Sequence, residues 1–194
     1  MVGGLLSDAQ AGKLMKNWPN LGIWKRDTQD EVLTARELSL RFGPDRMSAG
    51  LALSIVDLAD HMGTDPQWLA ELICFESDGS FSPSVQNDTT RATGLVQFMP
   101  KTARSLGTTV QALSKMSALA QMRYVELYFA QFRPPFDSRQ KLFMTVFYPA
   151  ARFWPAGRPF PGKVLTSNHA ATPGQYVANV RRFVWSVTQA QGAS

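Results

Sequence analysis

A chain of 194 residues can enclose one substantial core but not two cores with a linker between them. Its 44% hydrophobic and 18% charged composition suits a soluble globular protein, and no apolar run approaches the roughly 20 residues that span a bilayer, which excludes membrane insertion. One cysteine, Cys74, excludes an intramolecular disulfide. A net charge of +5 favours an anionic partner, whereas scattered Lys and Arg without an aromatic-interleaved basic motif speak against a required nucleic acid.

Residues 1–20 hold a short apolar patch with no basic residue before it. That is not the organisation of a secretory signal, so any export is expected to depend on other proteins. Thr28 and Glu31 have capping-box spacing and open a helix that Gly43-Pro44 stops. A second helix is predicted from Ser48 to Gly63, and Asp65 with Pro66 opens a third carrying Trp68, Leu69, Leu72, Ile73 and Glu76 before Asp78-Gly79. A polar loop follows, with room for a small hairpin within residues 81–98.

Pro100 starts a short helix ending at Gly107, and Thr109 to Met116 offers a turn or two. Ser117 caps a long helix whose apolar positions run through Phe132 to the Pro134-Pro135 stop. Leu142, Phe143, Val146 and Phe147 mark a buried helix stopped by Pro149. Residues 149–172, rich in Pro and Gly, read as an irregular excursion before Thr172-Pro173 opens the last helix. The class is all-α or nearly so, with residues 1–47 as a helical extension packed on a domain of residues 48–194.

Glu76 lies four residues after Leu72 and three after Ile73, on the face that those side chains bury. Burial and the negative end of the helix dipole both disfavour a charged carboxylate, which is what a general acid at neutral pH requires. A solvated helix glutamate is the ordinary alternative. His61 and His169 lack metal-ligand spacing, no cofactor motif is present, and Cys74 reads as a small core residue.

Around Glu76-Ser77 the chain continues with Phe81-Ser82-Pro83, then Gly94-Leu95-Val96-Gln97-Phe98-Met99-Pro100, Thr102-Ala103, and later Phe147-Tyr148-Pro149. This resembles the soluble lytic transglycosylase family, with its ES, GLMQ and AYN motifs and its proline-initiated TA helix. The resemblance implies a lysozyme-like helical fold that cuts the β-1,4 bond between N-acetylmuramic acid and N-acetylglucosamine in peptidoglycan. It casts Glu76 as the single catalytic acid and base, and a 1,6-anhydro end as the product. It also casts Ser77, Gly94, Gln97 and Tyr148 as substrate-binding residues, the tyrosine hydroxyl meeting the catalytic carboxylate.

Each of these residues also has a structural reading: a helix-end hydroxyl for Ser77, a loop glycine for Gly94 and a backbone-bonded amide for Gln97. Val96 replaces the motif methionine and Pro149 the asparagine. The segment from Phe147 to Phe153 is similar to peptidoglycan-degrading proteins of tailed bacteriophages, which implies virion or lysis proteins as partners and action on the wall after phage delivery. A water-using muramidase and a wall-binding component without turnover are the alternatives. Hydrolysis usually calls for a second carboxylate, and the loop acids Asp78, Asp88 and Asp137 all stand in turn-forming contexts. Trp154, Phe153 and Phe160 either stack on sugars or close a satellite core.

Overall fold

The computed structural model describes residues 29–165 and 170–190; Thr28, His169 and the segment before Gln29 lie outside them. Among the described residues the elements are α1 (Gln29–Phe42), α2 (Ala49–Met62), α3 (Pro66–Glu76), α4 (Pro100–Ser105), α5 (Val110–Leu113) and α6 (Ala118–Phe129). There follow α7 (Arg139–Phe147), a 3-10 turn (Pro149–Ala151), α8 (Gly162–Leu165) and α9 (Pro173–Gln189). No strand occurs among them, so the fold is all-α. The loop expected to allow a hairpin makes only isolated bridges, Gln86 with Thr93 and Thr93 with Phe98.

Side-chain caps set the helix starts. The hydroxyl of Ser48 accepts from Leu51 N–H, Asp65 accepts from Gln67 N–H, Ser117 from Ala120 N–H and Thr172 from Gln175 N–H. Each satisfies a donor that the first turn leaves orphaned. Gly63, with φ +59°, closes α2 in the left-handed conformation. The helix opened at Ser117 stops at Phe129, short of Phe132. Its exit is tightened by 3-10-type bonds from Gln131 N–H to Tyr128 O and from Phe132 N–H to Phe129 O.

The central element is α3, which contacts α2, α7 and α9. Six consecutive residues, Leu69 to Cys74, are buried, as a helix packed on several sides demands. Five of them are apolar or small; the sixth, Glu71, is ion-paired by Arg139 at 2.8 Å from α7 and by Arg41 at 3.7 Å from α1. Gln67 Nε2 also donates to it at 3.0 Å. A buried carboxylate is tolerated when it is compensated in this way. The helix α1 lies on α2 and contributes Ala35, Leu38 and Phe42 to the core.

In the excursion after Pro149, Phe160 is buried with its ring 5.6 Å from Phe147 and 6.0 Å from Tyr148, and Trp154 lies 5.8 Å from Tyr148. The expected separate satellite core is not formed: Phe160 belongs to the main core and Phe147, Tyr148 and Trp154 pack against it, while Phe153 stays 69% exposed.

Candidate active site

Glu76 is the last residue of α3, and its carboxyl stands where α9 crosses that helix. The Tyr176 hydroxyl donates to Glu76 Oε1 at 3.0 Å. Tyr176 is fully buried: its ring stacks on Phe147 at 4.3 Å and meets the edge of Phe75 at 5.7 Å. A tyrosine fixed between two rings has little freedom to withdraw its hydroxyl. Burial pushes the Glu76 carboxyl from 4.5 up to about 7, against the opposing pull of the Tyr176 hydrogen bond. Tyr176 itself is held well above the usual phenol range, first by burial and then by the charge of Glu76. The pair therefore presents an acid that is half protonated near neutrality beside a phenol that stays neutral.

The hydroxyl expected on Glu76 from Tyr148 is supplied instead by Tyr176. Tyr148 ends α7, and the fixed φ of Pro149 turns the chain away there, so the Tyr148 ring joins Trp154 and Phe160. The sequence signal for Tyr176 was present but ambiguous: it sits on the apolar period of the last helix, where a core residue and a site residue look alike.

Ser77 is fully buried, and its hydroxyl is used twice by the backbone. It donates to Ile73 O at 2.7 Å and accepts from Phe81 N–H at 3.0 Å. Its place is thus the joint between α3 and the following loop. Gly79, at φ +75°, completes the joint by donating to Cys74 O and lets α9 approach, since a Cβ there would lie 3.1 Å from Val187.

The loop over residues 77–99 carries the other expected residues. Gly94 has φ +87°, and a Cβ on it would run into the side-chain amide of Gln121, so glycine is needed for both conformation and space. Gln97, also left-handed at φ 51°, turns its Nε2 back to Gly94 O at 3.3 Å and Val85 O at 3.4 Å. Gln121, on α6, was not singled out by the sequence. Buried completely, it accepts from Leu95 N–H at 2.6 Å and donates to Pro83 O at 3.1 Å and Leu113 O at 3.0 Å. It ties both limbs of the loop to α6.

Tyr128 of α6 forms a further wall. Its hydroxyl donates to Thr145 O at 2.7 Å, and its ring meets Phe98 of the loop at 6.3 Å. Its phenol is raised, first by burial and then by the charge of Glu76, while Arg152 opposes the shift.

Among the described residues none of the acids considered as a second carboxylate is hydrogen-bonded to Glu76 or Tyr176. Asp78 and Asp88 are exposed, and Asp137 pairs with Lys141 at 3.4 Å. Cys74 is buried in the core with its thiol pushed up to about 12, so it is protonated at neutral pH and unsuited to attack. No group of three or more metal-ligating side chains occurs among the described residues. A separate cleft of about 790 Å³ is lined by Arg41, Arg46, Trp185 and neighbours. Trp185 lies nine residues beyond Tyr176 on α9, about 14 Å of helix rise away.

Residues 55–122 match the family model described as Transglycosylase SLT domain. The match runs from within α2 into α6 and includes Glu76, Ser77, Gly94, Gln97 and Gln121, while Tyr148 and Tyr176 lie beyond it. No curated protein and no solved structure matches the chain.

Proposed function

Since the chain belongs, through residues 55–122, to the transglycosylase SLT family and is a peptidoglycan lytic transglycosylase, we propose that Glu76 serves as its only acid and base. Protonated, Glu76 gives its proton to the oxygen linking N-acetylmuramic acid to N-acetylglucosamine as the bond from that oxygen to C1 breaks. The resulting carboxylate takes the proton of the muramic acid C6 hydroxyl while that oxygen bonds to C1. The strand is left with a 1,6-anhydro end, no water is consumed, and Glu76 returns protonated.

The observation that carries this reading is the Glu76 carboxyl pushed up to about 7 in contact with the neutral Tyr176 hydroxyl. An acid matched to the working pH transfers a proton in both directions at little cost. That Glu76 is, among the described residues, the one carboxylate on the Tyr176 hydroxyl, with Asp137 paired to Lys141, supports cyclisation over hydrolysis, because a water nucleophile usually needs a second carboxylate.

The test is mass spectrometry of purified sacculi digested by wild type and by Glu76→Gln. Wild type should release fragments one water lighter than reducing-end fragments. The variant should lose at least about a hundredfold of the rate, the lower end of general acid–base contributions. Reducing-end products would establish a muramidase instead, and near-wild-type cleavage by the variant would remove Glu76 from its role.

A further inference from the structure

Where the family motif has asparagine this chain has Pro149, and the 3-10 turn Pro149–Ala151 that begins there delivers Arg152. The Arg152 guanidinium is held between two rings, 5.0 Å from the centroid of Phe132 and 5.0 Å from that of Phe153. Of the neighbouring cations, Lys141 is matched to Asp137 and Arg139 to Glu71, while Arg158 lies over the ring of Trp154 at 3.9 Å. Among the described residues Arg152 makes no ion pair, although it is half-buried. A guanidinium oriented by rings and lacking a counter-ion is prepared for a planar anion.

Its position decides which anion. Phe132 meets Tyr128 at 5.4 Å, and Tyr128 meets Phe98 of the site loop. Arg152 is thus linked to the site loop through the rings of Phe132 and Tyr128, and Tyr128 responds to the charges of both Glu76 and Arg152. In peptidoglycan the charge near the cleaved bond is carried by the peptide stem on the muramic acid lactyl group, which ends in carboxylates, while the amidated sugar backbone is neutral.

We propose that Arg152 binds a carboxylate of the peptide stem and thereby makes the enzyme favour peptide-bearing over bare glycan strands. This rests on the lytic reading of the same site. The bond is a charge-assisted and potentially bidentate one, of the kind arginine forms with carboxylates.

The experiment compares sacculi with intact stems and glycan strands stripped of stems by an amidase and capped as methylamides at the lactyl carboxylates so freed, using wild type, Arg152→Gln, Arg152→Met and Arg152→Lys. On intact sacculi Arg152→Gln and Arg152→Met should lose about tenfold or more in kcat/KM, mainly through KM, as fits loss of one charge-assisted hydrogen bond. On stripped strands they should stay within about twofold of wild type, and Arg152→Lys should recover part of the loss because it restores the charge. Co-sedimentation of Glu76→Gln with and without Arg152→Gln on bead-coupled strands of both kinds reads binding without turnover. It should show the same dependence on stems.

Equal loss on both substrates, which a packing role against Phe132 would give, overturns the proposal, as does no loss on either. If wild type releases no fragments from either substrate, the lytic reading fails on its own. The co-sedimentation ratio still decides the role of Arg152: a stem-dependent loss supports it and a stem-independent result rejects it.

Discussion

A carboxyl at the C-terminal end of a helix faces partial negative charge, and Glu76 adds burial to that disadvantage, so its proton is held to about pH 7. A step that begins with the neutral acid should therefore lose kcat/KM as pH rises beyond about 7, approaching tenfold per unit. The Tyr176 hydrogen bond favours the charged form. Tyr176→Phe should accordingly move this basic limb to higher pH by up to about one unit and lower stability by about 1 kcal/mol, the net value of one hydrogen bond. Tyr148→Phe should leave the limb where it is, because its ring packs with Trp154 and Phe160 at the margin of the core. Parallel pH–rate profiles and urea titrations check both, and a shift in the Tyr148 variant alone would reverse the assignment. Glu76 was legible in the sequence because helical spacing from Leu72 and Ile73 places it on a buried face. Its partner was not, because Tyr176 follows a hundred residues later and only the crossing of α3 and α9 brings the two together.

The starts of α2, α3, α6 and α9 could be read from Ser48, Asp65, Ser117 and Thr172, since capping is a local interaction written within four residues. The loop over residues 77–99 is organised differently. Its positive-φ residues Asp78, Phe81, Arg91 and Gln97 donate their N–H to groups within four residues, as Phe81 does to Ser77 and Arg91 to Asn87 O. The loop as a whole is placed by a side chain far along the chain, so the polar, turn-rich sequence did not distinguish a hairpin from this coil. That side chain is Gln121, and Gln121→Ala leaves Leu95 N–H and the carbonyls of Pro83 and Leu113 without it. The expected cost is about 2–4 kcal/mol, with faster hydrogen exchange at Leu95. Gly94→Ala should cost a comparable amount in wild type but clearly less in the Gln121→Ala background, where only the backbone strain at φ +87° remains. A double-mutant cycle measures that coupling, expected at about 1–3 kcal/mol for residues in contact. Additive losses would mean that Gln121 does not occupy the space the glycine leaves.

At the scale of the molecule, α1 reaches the site although it contributes no group to the chemistry. Phe42, fully buried, packs edge to face with Phe81, ring centroids 5.3 Å apart, and Phe81 is the residue whose N–H is held by Ser77. Arg41 joins Arg139 on Glu71, so one carboxylate in α3 ties α1 and α7 to the helix that ends in Glu76. Between α1 and α2, Ser39 donates to Met47 O at 2.8 Å, and Met47 is itself fully buried. The family match begins only at residue 55, which invites a boundary near Ser48, but a chain starting there loses Ala35, Leu38, Phe42 and Met47 from the core. Burying one such large side chain contributes about 1.5–3 kcal/mol, and a domain holds only about 5–15 kcal/mol of net stability. The shortened chain also exposes the apolar face of α2 and half of the compensation around Glu71. Residues 48–194 alone should therefore lack near-UV circular dichroism and a cooperative urea transition, and should clear no sacculi. The milder Phe42→Ala should fold, lose about 3–5 kcal/mol and show lowered activity through the freed Phe81. A shortened chain with a sharp transition and wild-type clearing would show instead that the core closes without α1 and that Phe42 is packing at the margin of the site.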